Sequence, residues 1–106
     1  MSEATNYGAL TEAVYYILLS LYQPLHGYGM MQHIKELSHG RVTLGAGTLY
    51  GAINSLLAKG WIHPVDTNES SRKKQYQITD AGKQAISQEL LRLKELIANG
   101  QAITGE

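Results

Sequence analysis

The chain's candidates for chemistry are four histidines, nine acidic and nine basic residues, seven tyrosines and no cysteine. Catalysis and metal binding need such groups at particular spacings, and those spacings are missing. His26, His33, His39 and His63 contain no HExxH or other tight ligand pair, and His33 and His39 fall on different faces of a helix. Gly45 and Gly47 are not followed by the Lys-Ser/Thr of a phosphate-cradling loop, no serine stands in a GxSxG context, and no pair of carboxylates stands out. Without cysteine, disulfides and thiolate-held metals are excluded. The residues argue against an enzyme and require no metal and no cofactor.

Two stretches offer hydrogen-bonding and cationic groups instead. In GAGTLYGAINSLLAKGW (residues 45–61), Leu49, Ile53, Leu56 and Leu57 follow the i, i+4, i+7, i+8 spacing of a helix lying on a core. At about 100° per residue, Gly47, Gly51, Asn54 and Ala58 fall on the far side, flanked by Thr48, Tyr50 and Ser55. That face is slim and uncharged. A helix entering the DNA major groove, about 12 Å wide, must be slim, and Thr48, Tyr50, Asn54 and Ser55 can donate to phosphates or read base edges, asparagine being suited to adenine. A helix seated on a second protein would carry the same small residues, so this stretch alone leaves both occupants open. The second stretch, SRKK, sets Arg72, Lys73 and Lys74 at a loop between two alternating runs, within reach of a phosphate backbone or minor groove. Net charge is zero, yet residues 41–74 hold five basic against two acidic residues, and the remainder four against seven. Such asymmetry in a neutral chain indicates a basic contact face.

The elements that must position these groups follow from period and punctuation. Thr11 can cap a first helix in which Val14, Ile17, Leu18 and Leu21 form one stripe while Tyr15, Tyr16, Leu19 and Tyr22 cover the other side. Gln23-Pro24 ends it. A second helix lies within residues 26–40, with Met30, Ile34 and Leu37 on one face; its early glycines serve a turn or a close approach, and Gly40 stops it. RVTL (residues 41–44) reads as a short strand. The helix of residues 45–61 ends at Gly60, and WIHPVDT and KQYQIT then alternate as a hairpin, with Pro64 on an edge strand and Tyr76 and Ile78 on one side. A last helix opens at Thr79 or Asp80 and ends at Asn99-Gly100, leaving a loose tail.

The expected fold is therefore mainly α with a small β hairpin: a winged helix-turn-helix over residues 1–78, followed by a C-terminal dimerisation helix and tail over residues 79–106. In the last helix Ile86, Leu90, Leu93 and Ile97 are spaced 4-3-4 like a coiled-coil seam. This seam can pack on the first helix of the same chain, but together the two helices carry more apolar width than they can hide from each other. A symmetric homodimer through both resolves that excess. The longest strongly apolar run, AVYYILL (residues 13–19), is far short of the ~20 residues that span a bilayer, and no secretory signal is visible. The expected setting is cytoplasmic, with no membrane partner.

Taken together, LSLYQPLHGYGMMQHI, GAGTLYGAINSLLAKGWI and RKKQYQITDAGKQAI resemble the PadR-like family of bacterial transcriptional regulators. The resemblance runs over roughly residues 10–95 through Gly27-Tyr28, Gly47-Thr48-Leu49-Tyr50, Gly60-Trp61-Ile62, and Arg72-Lys73 with Tyr76, Ile78, Thr79 and Gly82. It implies a dimeric repressor that binds double-stranded DNA at a pseudo-palindromic operator, with the third helix in the major groove and the wing beside it. Residue by residue it makes Tyr28, Thr48, Tyr50, Arg72, Lys73 and Lys74 contact positions. It implies the short subfamily, some of whose members take flat aromatic drugs between the first and last helices of the dimer. That makes a small apolar or aromatic effector an expected partner, with Tyr15, Tyr16 and Leu93 as lining residues. Drug-binding relatives carry tryptophan at the position of Leu93, and many relatives carry proline at Gly51 and cations near Asn54 and Ser55. The alternative of a different class is a winged-helix protein-interaction module that never touches DNA.

Overall fold

Thr11 caps the first helix, α1 (Glu12–Ser20), by accepting the Val14 N–H at 3.1 Å, with Glu12 in the positive first turn. In the computed structural model, residues 8–65 and 74–106 are described. A two-residue strand β1 (Leu25–His26) leads directly into α2 (Gly27–Leu37), α3 (Ala46–Lys59) follows, then strands β2 (Ile62–Val65) and β3 (Gln75–Ile78), then α4 (Asp80–Thr104). The strands form one antiparallel sheet in the order β1-β3-β2, with Leu25 opposite Tyr76 and Ile62 opposite Ile78. Pro64 thus sits on an edge strand, where its missing N–H costs no ladder bond. Tyr76 and Ile78 of the central strand are both buried.

The sheet differs from expectation. The third strand is Leu25–His26 rather than residues 41–44, which form no strand. Side chains explain the exchange. The Ser38 hydroxyl accepts the Val42 N–H at 3.0 Å, occupying a donor that a strand would have offered a neighbour. Val42 and Leu44 pack by their side chains on the core. Similarly α1 stops at Ser20, ahead of Gln23-Pro24, where the Leu21 carbonyl accepts the Ile78 N–H at 2.8 Å and ties the helix end to β3.

Leu49, Ile53 and Leu56 of α3 are at most 1% exposed and meet Ile17, Leu18, Leu21, Met30 and Ile34 of α1 and α2 in the core. Trp61, Ile62, Tyr76 and Ile78 close it below, and Ala85 and Ile86 of α4 close its side. Gly60 ends α3 with φ of 76°, the left-handed geometry open to glycine. Thr79 caps α4 by accepting the Gly82 N–H at 3.1 Å.

α4 does not end at Asn99-Gly100. It continues to Thr104, and Gly105 (φ 79°) is its left-handed cap. A single glycine costs a helix interior about 1 kcal/mol, too little to break a 25-residue helix that has a second glycine five residues on. Every residue from Lys94 to Glu106 is exposed, so the second half of α4 stands clear of the body, consistent with extents of 53 × 35 × 21 Å. Among the described residues, no helix is long and apolar enough to cross a membrane.

Candidate nucleic-acid interface

The outward face of α3 consists of Gly47, Thr48, Tyr50, Gly51, Asn54, Ser55 and Ala58, all exposed, opposite the buried Leu49, Ile53 and Leu56. The glycines are informative because of what surrounds them. A Cβ added at Gly45, Gly47 or Gly51 would meet nothing within 4 Å. No internal packing needs these positions small, yet a glycine inside a helix is worth about 0.5–1 kcal/mol less than alanine.

Three other glycines are small for internal reasons. A Cβ at Gly82 would strike the Trp61 carbonyl oxygen and come within 2.6 Å of Ile78 Cγ1, because α4 starts against the backbone that joins α3 to β2. A Cβ at Gly29 would come within 2.6 Å of Leu25 Cδ1 and 3.0 Å of the His26 ring. Gly27 lies beneath the phenol of Tyr50, whose Cζ would be 2.8 Å from a Cβ there. The two separate sequence features Gly27-Tyr28 and Gly47-Thr48-Leu49-Tyr50 thus meet in space.

Tyr28, in the first turn of α2, is 64% exposed, and its hydroxyl accepts from Gln32 Nε2 at 3.3 Å. Tyr28 and Tyr50 (47% exposed) are the large aromatic groups shown to solvent by α2 and α3. His26 begins α2: its Nδ1 accepts the Gly29 N–H at 2.9 Å, which makes Nδ1 the unprotonated nitrogen. An imidazole cap was not anticipated; a histidine directly before Gly-Tyr-Gly was its only trace in the sequence. Lys74 is exposed just ahead of β3, while Arg72 and Lys73 lie outside the described residues. Lys59 at the end of α3 stacks its ammonium 4.8 Å from the Trp61 ring centre.

The residues expected to form a dimer seam separate into two groups. Ile86 is 3% exposed and belongs to the chain's own core, whereas Leu90 is 42% and Ile97 59% exposed, with Leu93 half-buried. Leu91, Leu96 and Ile103 add to the uncovered apolar surface of α4.

Tyr15, Tyr16 and Leu93 are brought together. With Leu10, Glu12, Glu89 and Arg92 they line a cavity of ≈ 320 Å³ between α1 and α4. Sequence reasoning missed its charged members. Glu89 is only 4% exposed and accepts from Arg92 Nε at 2.9 Å and Nη2 at 2.6 Å. The Arg92 hydrogen bond, aided by the Leu10 backbone N–H, outweighs burial and holds the Glu89 carboxyl below its ordinary range. An acid within an apolar 4-3-4 seam was the available signal. Glu12, also on the cavity wall, forms a forked ion pair with Arg41, whose hydrogen bond lowers the Glu12 carboxyl in the same way. Arg41 belongs to the loop before α3, so the pair links one wall of the cavity to that loop. Among the described residues no group of histidines and acids could hold a metal ion.

Three helices followed by a hairpin whose central strand also pairs with β1 define a winged-helix protein. Residues 16–88 match the Transcriptional regulator PadR-like family, and the chain belongs to that family, a family of transcriptional regulators and not of enzymes. A relative in transposon TN4556 of Streptomyces fradiae, an uncharacterized 37.1 kDa protein, is 38% identical over 66 residues. That stretch is 62% of this chain but 18% of the relative, so the match spans under a fifth of that protein's length. A PadR family transcription regulator from Clostridium difficile R20291 superposes with a TM-score of 0.70 at 19% identity, covering 91% of this chain and 100% of that one. F93 from STIV, a winged-helix DNA-binding protein, superposes with a TM-score of 0.65 at 18% identity, over 83% and 95% of the two chains.

Proposed function

We propose that this regulator is a DNA-binding repressor that acts as a homodimer, with α3 in the major groove and the hairpin loop on the adjacent backbone. The observation that carries the reading is the outward face of α3: a helix that keeps glycine at 47 and 51 over open space, with hydrogen-bonding Thr48, Asn54 and Ser55 on the same face. Tyr28 and Tyr50 flank that face, and Arg72, Lys73 and Lys74 supply the cations it lacks. The exposed Leu90, Leu96 and Ile97 support pairing of α4 with α1 and α4 of a second copy, which gives two reading helices for a pseudo-palindromic operator. The cavity of Tyr15, Tyr16 and Leu93 suits a flat aromatic effector whose binding releases the DNA.

Fluorescence-anisotropy titration against the DNA upstream of the protein's own gene, and against random duplex, at low and high salt tests this. Binding should weaken steeply with salt, and neutralising Arg72, Lys73 and Lys74 together should lower the log–log slope by about 0.9 for each phosphate left without its cation. Absent or salt-insensitive binding would favour the protein-interaction module instead.

A further inference from the structure

A side chain that reads bases from a groove-bound helix must project away from the protein body. Tyr50 does not. It starts on the exposed half of α3, but its ring leans back across the body until the phenol rests on the Cα of Gly27, the first residue of α2. Leu49 lies against the same glycine, its Cδ2 3.3 Å from where a Cβ would be. The seat is therefore formed by the start of α2, and only a residue without a side chain leaves room for it. Tyr50 nevertheless remains 47% exposed, so about half of the residue stays open to a ligand.

We propose that Gly27 is a positioning residue for Tyr50, seating its phenol at the junction of α2 and α3 so that the hydroxyl donates to a DNA backbone phosphate rather than to a base edge. The proposal rests on the reading that α3 enters the groove. A helix in the major groove has base edges along its outward face and phosphates along the groove's rim, and the α2 end of the seat lies toward the rim. A phosphate contact fixes register and adds affinity for every duplex without selecting among sequences.

The arrangement also separates the seat from the fold. A methyl group at position 27 would collide with the far end of a half-exposed side chain, which can swing out, and alanine is at ease in the first turn of a helix. Gly27→Ala should therefore fold and displace Tyr50.

The experiment compares parent, Gly27→Ala, Tyr50→Ala and the double variant by anisotropy titration, using the gene's upstream DNA and a scrambled duplex of equal length. Gly27→Ala should weaken both duplexes about a hundredfold, about tenfold for the hydrogen bond to a charged group lost in each half of the dimer, and leave their ratio unchanged. In the Tyr50→Ala background the same substitution should change binding less than twofold, because the group it acts through is gone. An equal loss in that background would overturn the positioning role, as would parental affinity for Gly27→Ala. A collapse of the ratio between duplexes would overturn the phosphate assignment. A DNA-free readout keeps the seat separate from the groove reading: nuclear Overhauser contacts between the Tyr50 ring and the Gly27 α-protons should be present in the parent. Their absence refutes the seat; their presence in a parent that binds neither duplex leaves the seat standing and refutes the phosphate role.

Discussion

If α4 is covered by a second copy, Ile97→Ala should split the dimer without touching the fold. Ile97 is 59% exposed and lies in the half of α4 that has no cover from its own chain. The substitution removes three side-chain carbons, each worth about 0.8 kcal/mol when fully buried. Scaled by the exposed fraction, which is what a partner can still bury, the loss is about 1.4 kcal/mol per protomer. Two-fold symmetry places the change in both protomers, so the dimer loses about 2.8 kcal/mol, about a hundredfold in dissociation constant. The monomer is spared because alanine is the better helix former, so far-ultraviolet dichroism should show helix content preserved. Sedimentation equilibrium over a concentration series reads the dissociation constant directly. A constant within threefold of the parent's, or a parent that is monomeric at micromolar concentration, would refute assembly through the second half of α4.

Gly82→Ala should destabilise by about 1–3 kcal/mol in urea melts, because the new methyl meets the Trp61 backbone carbonyl and neither helix nor strand can yield. Gly51→Ala should do the opposite in the melts: its Cβ meets nothing, so stability rises by about 0.5–1 kcal/mol, while affinity for the gene's upstream DNA falls in the anisotropy titration. Arg92→Leu leaves the Glu89 carboxylate without its partner and should lower the urea midpoint, less than for a fully buried pair because Arg92 itself is 35% exposed. Since the native Glu89 carboxyl titrates below its unfolded value, its contribution is complete above about pH 4.3 and disappears as pH falls through the lower native value. Glu89→Gln should therefore flatten the acid limb of a stability–pH profile relative to the parent, with Glu12 contributing a limb of the same sign in both.

The helices were legible because their signals are local and redundant. In α3 the apolar spacing, the outward glycines and the Gly60 stop agree, and in α4 Thr79 marks the start as a cap. The third strand was not legible. Leu25 and His26 are only two residues with no alternation to read, and their pairing with Gln75 and Tyr76 is decided by the tertiary position of α1. RVTL carried a better strand pattern, but Ser38 intercepted its backbone. Gly100 misled for a related reason: a local stop signal cannot report that Gly105 will supply the left-handed cap instead.

The candidate site was legible in its residue types and not in its couplings, and the glycines show why. In sequence, Gly27, Gly29, Gly47, Gly51 and Gly82 are alike. In the fold they divide according to what a Cβ would meet: Trp61 backbone at 82, the Leu25 and His26 side chains at 29, the Tyr50 phenol at 27, and nothing at 47 and 51. The first two cases are packing. The last pair lies over open space, on the face proposed to enter the groove. Gly27 stands between the two kinds, because what fills its space is a half-exposed side chain on the outward face of α3. A glycine whose neighbour can swing aside constrains that neighbour more than it constrains the fold. Its substitution therefore belongs with the binding measurements, while that of Gly82 belongs with the melts.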